Sequence, residues 1–204
     1  MPTILIPVLD WHLHLGWAWY GFLFLVIAGA ANGVNLADGV DGLAAGTGII
    51  SVFTFMAICV ITYIRSGPPA HREPRPLDLA ILAAALIGGT VGFLWYNAFP
   101  AEVFMGDTGS MGIGGALAGF AIMTKTEVLL LLIGGIFLIE ALSVIIQVIS
   151  FRYYGRRVFL MTPIHHHFEM KAWSETKIMV RFWILCGILC SAGFALYYRY
   201  YFRP

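Results

Sequence analysis

Apolar runs long enough to cross a membrane dominate this chain. No Asp, Glu, Lys or Arg occurs from Trp11 to Ala37, Gly42 to Ile64, Leu79 to Ala101, Thr108 to Thr124 or Phe182 to Tyr198, and only Glu140 interrupts the run from Val128 to Phe151. Each run reaches or approaches the roughly 17–25 residues that a helix needs to span a bilayer. Backbone polar groups in lipid must be satisfied within their own segment, so helices are the structure open to these runs. The expectation is an all-α, polytopic transmembrane bundle of about six helices, forming a single integral membrane domain over residues 1–204. Composition agrees, because 60% hydrophobic and 11% charged residues with a mean hydropathy of +0.84 lie far from ordinary soluble domains. A net charge of +1 leaves no electrostatic case for nucleic acid. Pro68, Pro69, Pro74 and Pro76 predict an exposed loop between the second and third spans. Cys59, Cys186 and Cys190 fall inside apolar runs, where packing is their expected role. With no basic opening and with Pro2, Pro7 and Asp10 interrupting the first segment, no cleavable signal is expected.

Six alternating helices bring the connections after the first, third and fifth to one side of the membrane, and all three polar clusters lie on those connections. The first reads Asn32-Gly-Val-Asn35-Leu-Ala-Asp38-Gly39-Val-Asp41-Gly42-Leu. Carboxylates at a membrane boundary are costly and mark a functional site by default. On a straight helix nine residues turn through about 900°, so Asn32 and Asp41 would face apart, and the helix is predicted to end or tighten near Gly39. An Asp-Gly turn joining two spans is the plain alternative.

The second cluster runs from Asn97 through Glu102, Phe104, Gly106 and Asp107 to Ser110. Asp107 is placed either as a cap on the fourth helix or, with its neighbours, as an oxygen-rich cradle for a hydrated Mg²⁺ and a phosphate near a helix N-terminus. The third carries Arg156, Arg157 and His165-His166-His167. Consecutive side chains diverge, so one shared metal is not expected; phosphate contacts, proton guidance and a solvated basic loop remain open. Glu140, Ser143, Gln147 and Ser150 form a polar stripe toward that loop, read as interhelical hydrogen bonding or as a direct substrate contact. Lys and Arg divide evenly between the two sides, which leaves orientation undecided.

The motifs from Asn32, from Phe104 (Phe-Met-Gly-Asp-Thr-Gly-Ser) and from Pro163 (Pro-Ile-His-His-His-Phe-Glu) together resemble the phospho-N-acetylmuramoyl-pentapeptide transferases, bacterial membrane enzymes of peptidoglycan synthesis. The resemblance implies Mg²⁺-dependent transfer of phospho-MurNAc-pentapeptide from UDP-MurNAc-pentapeptide to undecaprenyl phosphate, giving lipid I and UMP at the cytoplasmic face of the inner membrane. By the same resemblance Asp107 and Asp38 meet the metal. Asp107, Asp38, Asp41, His165, His166 and His167 are the catalytic candidates. Asn32, Asn35, Gly39, Asn97, Phe104, Gly106, Arg156 and Arg157 are the substrate-binding ones. A sister enzyme that transfers GlcNAc-1-phosphate and an inactive remnant are the alternatives; a transporter fits poorly, because the polar clusters gather on one side only. Family members have about ten transmembrane helices and an Asp-Asp motif in their first half. This sequence resembles the carboxy-terminal half and holds no Asp-Asp pair. A fragment, a mis-called start or one piece of a split protein are the readings, with a homodimer or a separate amino-terminal half as possible partners.

Overall fold

The computed structural model describes residues 3–6 and 11–201. Pro2, Pro7 and Asp10 lie outside them. The chain opens with an antiparallel pair of strands, β1 (Thr3–Ile6) and β2 (Trp11–His14), in the register Ile4↔Leu13. Helices follow: α1 (Ala18–Ala37), α2 (Leu43–Arg65), α3 (Arg75–Asn97), α4 (Gly106–Met123), the single turn α5 (Leu130–Ile133), α6 (Gly135–Tyr154), the short α7 (Ile164–Glu169) and α8 (Glu175–Tyr201).

The expected bundle is present, with three corrections to its outline. The first span begins at Ala18 rather than Trp11, because the residues before it satisfy their backbone groups across the strand pair and Gly16, at φ +51°, turns the chain into the helix. The run from Val128 divides at Gly134 into α5 and α6. Among the described residues five helices, not six, are long and apolar enough to cross a membrane. The shortfall is α4, whose opening Asp107, Thr108 and Ser110 dilute its apolar character. The proline-rich segment is a loop with one 3₁₀ turn at Pro69–His71, although Pro76 already sits in the first turn of α3.

Helix α2 is the axis of the bundle. Most of it is buried, whereas α1, α3, α6 and α8 keep broad apolar faces exposed, as lipid-facing helices do. It packs along α3 and α8, while α1 packs along α4 and α6. Val34, Leu43, Val52, Phe55, Ile58, Leu117, Ile133, Ile136 and Ile178 form the core. Helices this close need small residues where they cross. At Gly114 of α4 an added Cβ would lie 2.4 Å from the Ala30 carbonyl oxygen and 2.6 Å from the Ala31 Cα of α1. At Gly46 of α2 it would fall inside the Trp183 indole, whose Nε1 donates to the Gly42 carbonyl at 3.2 Å. The three thiols are free and buried; Ser51 donates to the Ile133 carbonyl at 2.8 Å with Cys186 and Cys190 beside it.

Candidate active site

The three polar connections meet at one end of the bundle. Helix α1 ends at Ala37, two residues before Gly39, and Asp38 is its C-cap. The chain turns and re-enters helix through Gly42, whose φ of +73° is a left-handed conformation that a side chain would strain. Two amides stitch this turn to the connection between α3 and α4: the Gly42 N–H donates to Asn97 Oδ1 at 3.0 Å, and the Ala101 N–H donates to Asp41 Oδ2 at 2.9 Å. Asn97 is buried and gives its Nδ2 to the Val103 carbonyl at 2.9 Å. Both ends of its amide are therefore engaged by backbone, and it acts as a staple between the two loops.

Helix α4 begins beside α1. Asp107 sits in its first turn, but no side chain caps that end, so the capping role expected for Asp107 is absent. Its carboxylate is instead held from α1: Asn35 Nδ2 donates to Asp107 Oδ1 at 2.9 Å and to Ser110 Oγ at 3.0 Å, while Ser110 Oγ donates back to the Gly106 carbonyl at 3.0 Å. Asp38 is near enough to feel Asp107. Partial burial, and then the Asp107 charge, push the Asp38 carboxyl up to about 6. Two carboxylates thus converge next to the uncapped amides of α4, and among the described residues neither makes an ion pair. Such a pair suits a hard cation that takes its remaining ligands from water and phosphate. Among the described residues no group of three or more His, Cys, Asp or Glu could hold a metal unaided.

The three histidines take different partners, although the His165 and His166 rings stay 4.2 Å apart between centroids. His165 is fully buried, with Nδ1 3.1 Å from Glu140 Oε1 of α6, off the line of a well-made hydrogen bond. Its Nε2 edge lies against Gly39, where an added Cβ would come within 2.5 Å. His166 is partly exposed and shares Nδ1 with Glu169 Oε2 at 2.5 Å. His167 Nδ1 accepts from the Leu160 N–H at 3.1 Å, and its ring meets Phe159 and Phe168 edge-on. The polar stripe on α6 divides in function along its length. Gln147 Oε1 accepts from the Val158 and Phe159 N–H groups at 3.0 Å each, and Ser150 donates to the Arg156 carbonyl at 2.9 Å, so these residues fold the loop. Glu140 alone reaches a histidine.

The remaining candidates make no side-chain hydrogen bond to the carboxylate pair, although Gly106 directly precedes Asp107. Asn32 is exposed and spends its amide on the Ala28 carbonyl at 2.8 Å. Phe104 is 75% exposed beside a cleft shared with Thr90, Phe93 and Gly112. Gly106 opens α4 with φ +66°. Arg156 and Arg157 are exposed, and Arg157 lies 6.0 Å over the Phe151 ring, in a cavity with Arg152 and Thr162. Ser110, already part of the second cluster, completes the Asn35 network. One buried polar residue escaped the sequence reading. Glu127, at the opposite end of α4, is buried with one oxygen unpartnered, and burial pushes its carboxyl up. Its sequence signal is slight: it is a lone acid in the short break between two apolar runs.

Comparison with known proteins gives the same direction. The model of a family described as glycosyl transferase family 4 matches residues 1–125. A phospho-N-acetylmuramoyl-pentapeptide-transferase of Clavibacter michiganensis is 48% identical over 187 residues, covering 87% of this chain and 51% of that protein. One from Desulfitobacterium hafniense is 48% identical over 189 residues, covering 91% and 56%. One from Rubrobacter xylanophilus is 53% identical over 176 residues, covering 86% and 50%. The chain spans about half the length of the curated relatives it matches.

Proposed function

The chain belongs to glycosyl transferase family 4, and from that premise we propose that it is the catalytic carboxy-terminal part of a phospho-N-acetylmuramoyl-pentapeptide transferase. It moves phospho-MurNAc-pentapeptide from UDP-MurNAc-pentapeptide to undecaprenyl phosphate, releasing UMP, at the cytoplasmic face of a bacterial inner membrane, alongside an amino-terminal half or a second copy. One observation carries the reading above the others: Asp38 and Asp107, from motifs about 70 residues apart in sequence, form a carboxylate pair at an uncapped helix N-terminus, with Asn35 hydrogen-bonded to Asp107.

The chemistry asks little of a general base. A phosphate monoester with a second pKa near 6 is already largely ionised at neutral pH. Its oxygen attacks the phosphorus that carries the sugar, the bond from that phosphorus to the bridging oxygen breaks, and UMP departs with the electron pair. Bringing two anions together is the obstacle, so positioning and charge neutralisation dominate. Asp38 and Asp107 would hold a Mg²⁺, which when bound supplies that neutralisation. Asn35 orients Asp107 for this task, and the α4 amides favour a phosphate oxygen. Of the three histidines, His166 and His167 are partly exposed and can meet a substrate, whereas His165 is buried. Phe104, exposed on the neighbouring loop, offers a face for the uracil.

The test is Mg²⁺-dependent formation of lipid product and UMP in detergent, from UDP-MurNAc-pentapeptide and undecaprenyl phosphate. The chain is assayed alone and co-expressed with the amino-terminal half of a relative. Turnover in either preparation supports the assignment, and silence in both removes it.

A further inference from the structure

Glu140 is a fully buried carboxylate in the middle of a membrane helix, and the transfer just described gives it no task. A buried acid is tolerated only when something meets it. The nearby hydroxyl does not, since Ser143 Oγ donates to the Glu140 backbone carbonyl rather than to its side chain. What faces it is His165 Nδ1, at 3.1 Å and off the line of a hydrogen bond, itself without exposed surface. His165 therefore reaches no substrate, although it belongs to the histidine motif. Its other edge is closed by the turn that carries Asp38 and Asp41: Nε2 and Cε1 stand 2.5 and 3.0 Å from where a Gly39 Cβ would be. The His166 ring, 4.2 Å away between centroids, blocks a third side.

We propose that Glu140 is a positioning residue that acts through His165, holding the imidazole with its Nδ1 toward α6 so that the opposite edge seats the Gly39 turn and sets Asp38 against Asp107. Resting on the transfer reading, this gives α6 and α7 a part in the carboxylate geometry that neither touches. A carboxylate behind an imidazole fixes its tautomer and orientation, and loss of such partners commonly costs 10–100-fold in metal affinity or activity. It also explains the glycine at position 39, since a methyl group there would have to displace a ring that cannot retreat.

The test uses the chain with its co-expressed amino-terminal half, labelled with ¹⁵N-histidine, the His165 signals being assigned by their loss in His165→Gln. The expected spectrum has His165 protonated at Nδ1. Glu140→Gln, which retains an acceptor, keeps that state, and Glu140→Leu yields mixed tautomers. Gly39→Ala should shift the His165 signals in the wild-type background and leave them unmoved in Glu140→Leu. In the transfer assay Gly39→Ala and Glu140→Leu should each lower kcat about tenfold or more with little change in nucleotide KM. The double variant should be no worse than the poorer single, because one pathway is broken twice, and Glu140→Gln should restore most of the rate. A His165 spectrum indifferent to Glu140, or kcat losses that multiply, overturns the proposal. If the unmutated protein has no turnover, the transfer reading fails on its own, and the spectra alone decide whether Glu140 sets the ring beneath Gly39.

Discussion

Gly114 lies about two turns along α4 from Asp107, yet replacing it with Ala should damage the carboxylate site. The added Cβ would sit 2.4 Å from the Ala30 carbonyl oxygen and 2.6 Å from the Ala31 Cα, where ordinary contact begins at 3.4 Å. Both obstacles are backbone, so no side chain can swing away, and relief requires α1 and α4 to separate by about 1 Å. The Asn35–Asp107 hydrogen bond crosses the same helix pair at 2.9 Å. A rigid separation of that size would stretch it to roughly 3.9 Å, beyond hydrogen-bonding reach. Overpacking of this kind costs about 1–3 kcal/mol, and a misplacement near 1 Å can cost about a hundredfold in rate. The assay is UMP release alongside thermal unfolding in detergent, with Gly115→Ala as control because a Cβ there meets nothing within 4 Å. Equal rates and equal melting for Gly114→Ala and Gly115→Ala would falsify the claim that this helix contact sets the site.

Other expected outcomes follow from individual side chains. Asp107→Asn should abolish transfer while circular dichroism and melting stay near wild type; measurable Mg²⁺-dependent turnover in that variant removes Asp107 from the chemistry. Asn97→Ala strips partners from the Gly42 N–H and the Val103 carbonyl. It should destabilise the fold by about 2–4 kcal/mol, read as a lowered unfolding midpoint. His166→Ala should slow transfer strongly, whereas an unchanged rate returns the exposed imidazole to a loop role. Asp38 is raised from 3.8 to about 6. Without metal, the folded state therefore binds more protons than the unfolded one between those values. Its contribution to stability is present below pH 4 and lost as pH rises through 6. Metal binding needs the ionised carboxylate, so Mg²⁺ or Mn²⁺ affinity should rise up to about tenfold per pH unit below 6 and then level off. A titration that is flat from pH 5 to 7 contradicts the assignment of Asp38 to the metal.

The bundle was legible because lipid penalises charge, and the residues that break its apolar runs are few. The meeting of three distant loops was legible for a related reason: helices that alternate direction leave no choice of side. The three histidines do take different partners, but the rings of His165 and His166 stay together rather than diverging. What a side chain faces across the bundle was not legible. Asn97 in an acceptor-rich loop reads equally as a ligand or a staple, and only the position of Gly42, 55 residues away, decides it. Gln147 and Glu140 share one stripe yet serve a loop backbone and a buried imidazole, a distinction made by where α7 docks. Asp107 resembles a cap in sequence, but Asn35 claims its carboxylate from another helix. The break at Gly134 and the late start of α1 were hidden because apolar content alone does not report where a helix begins.

The central position of α2 has a consequence in time. One of its two main partners is made long after it: about 110 residues separate its end from the start of α8, which at 5–20 residues per second is roughly 5–20 s of synthesis. Through that interval Gly46 has no indole above it, and for its first part the Ser51 hydroxyl lacks the Ile133 carbonyl that later receives it. A strongly apolar segment can wait in lipid at little cost, and the small and hydroxylated residues on one side of α2 keep a seat open. Arrival of α8, bringing Trp183, Cys186 and Cys190, exchanges lipid for protein along that side. The axis of the finished bundle thus enters the bilayer well before the helix that encloses it.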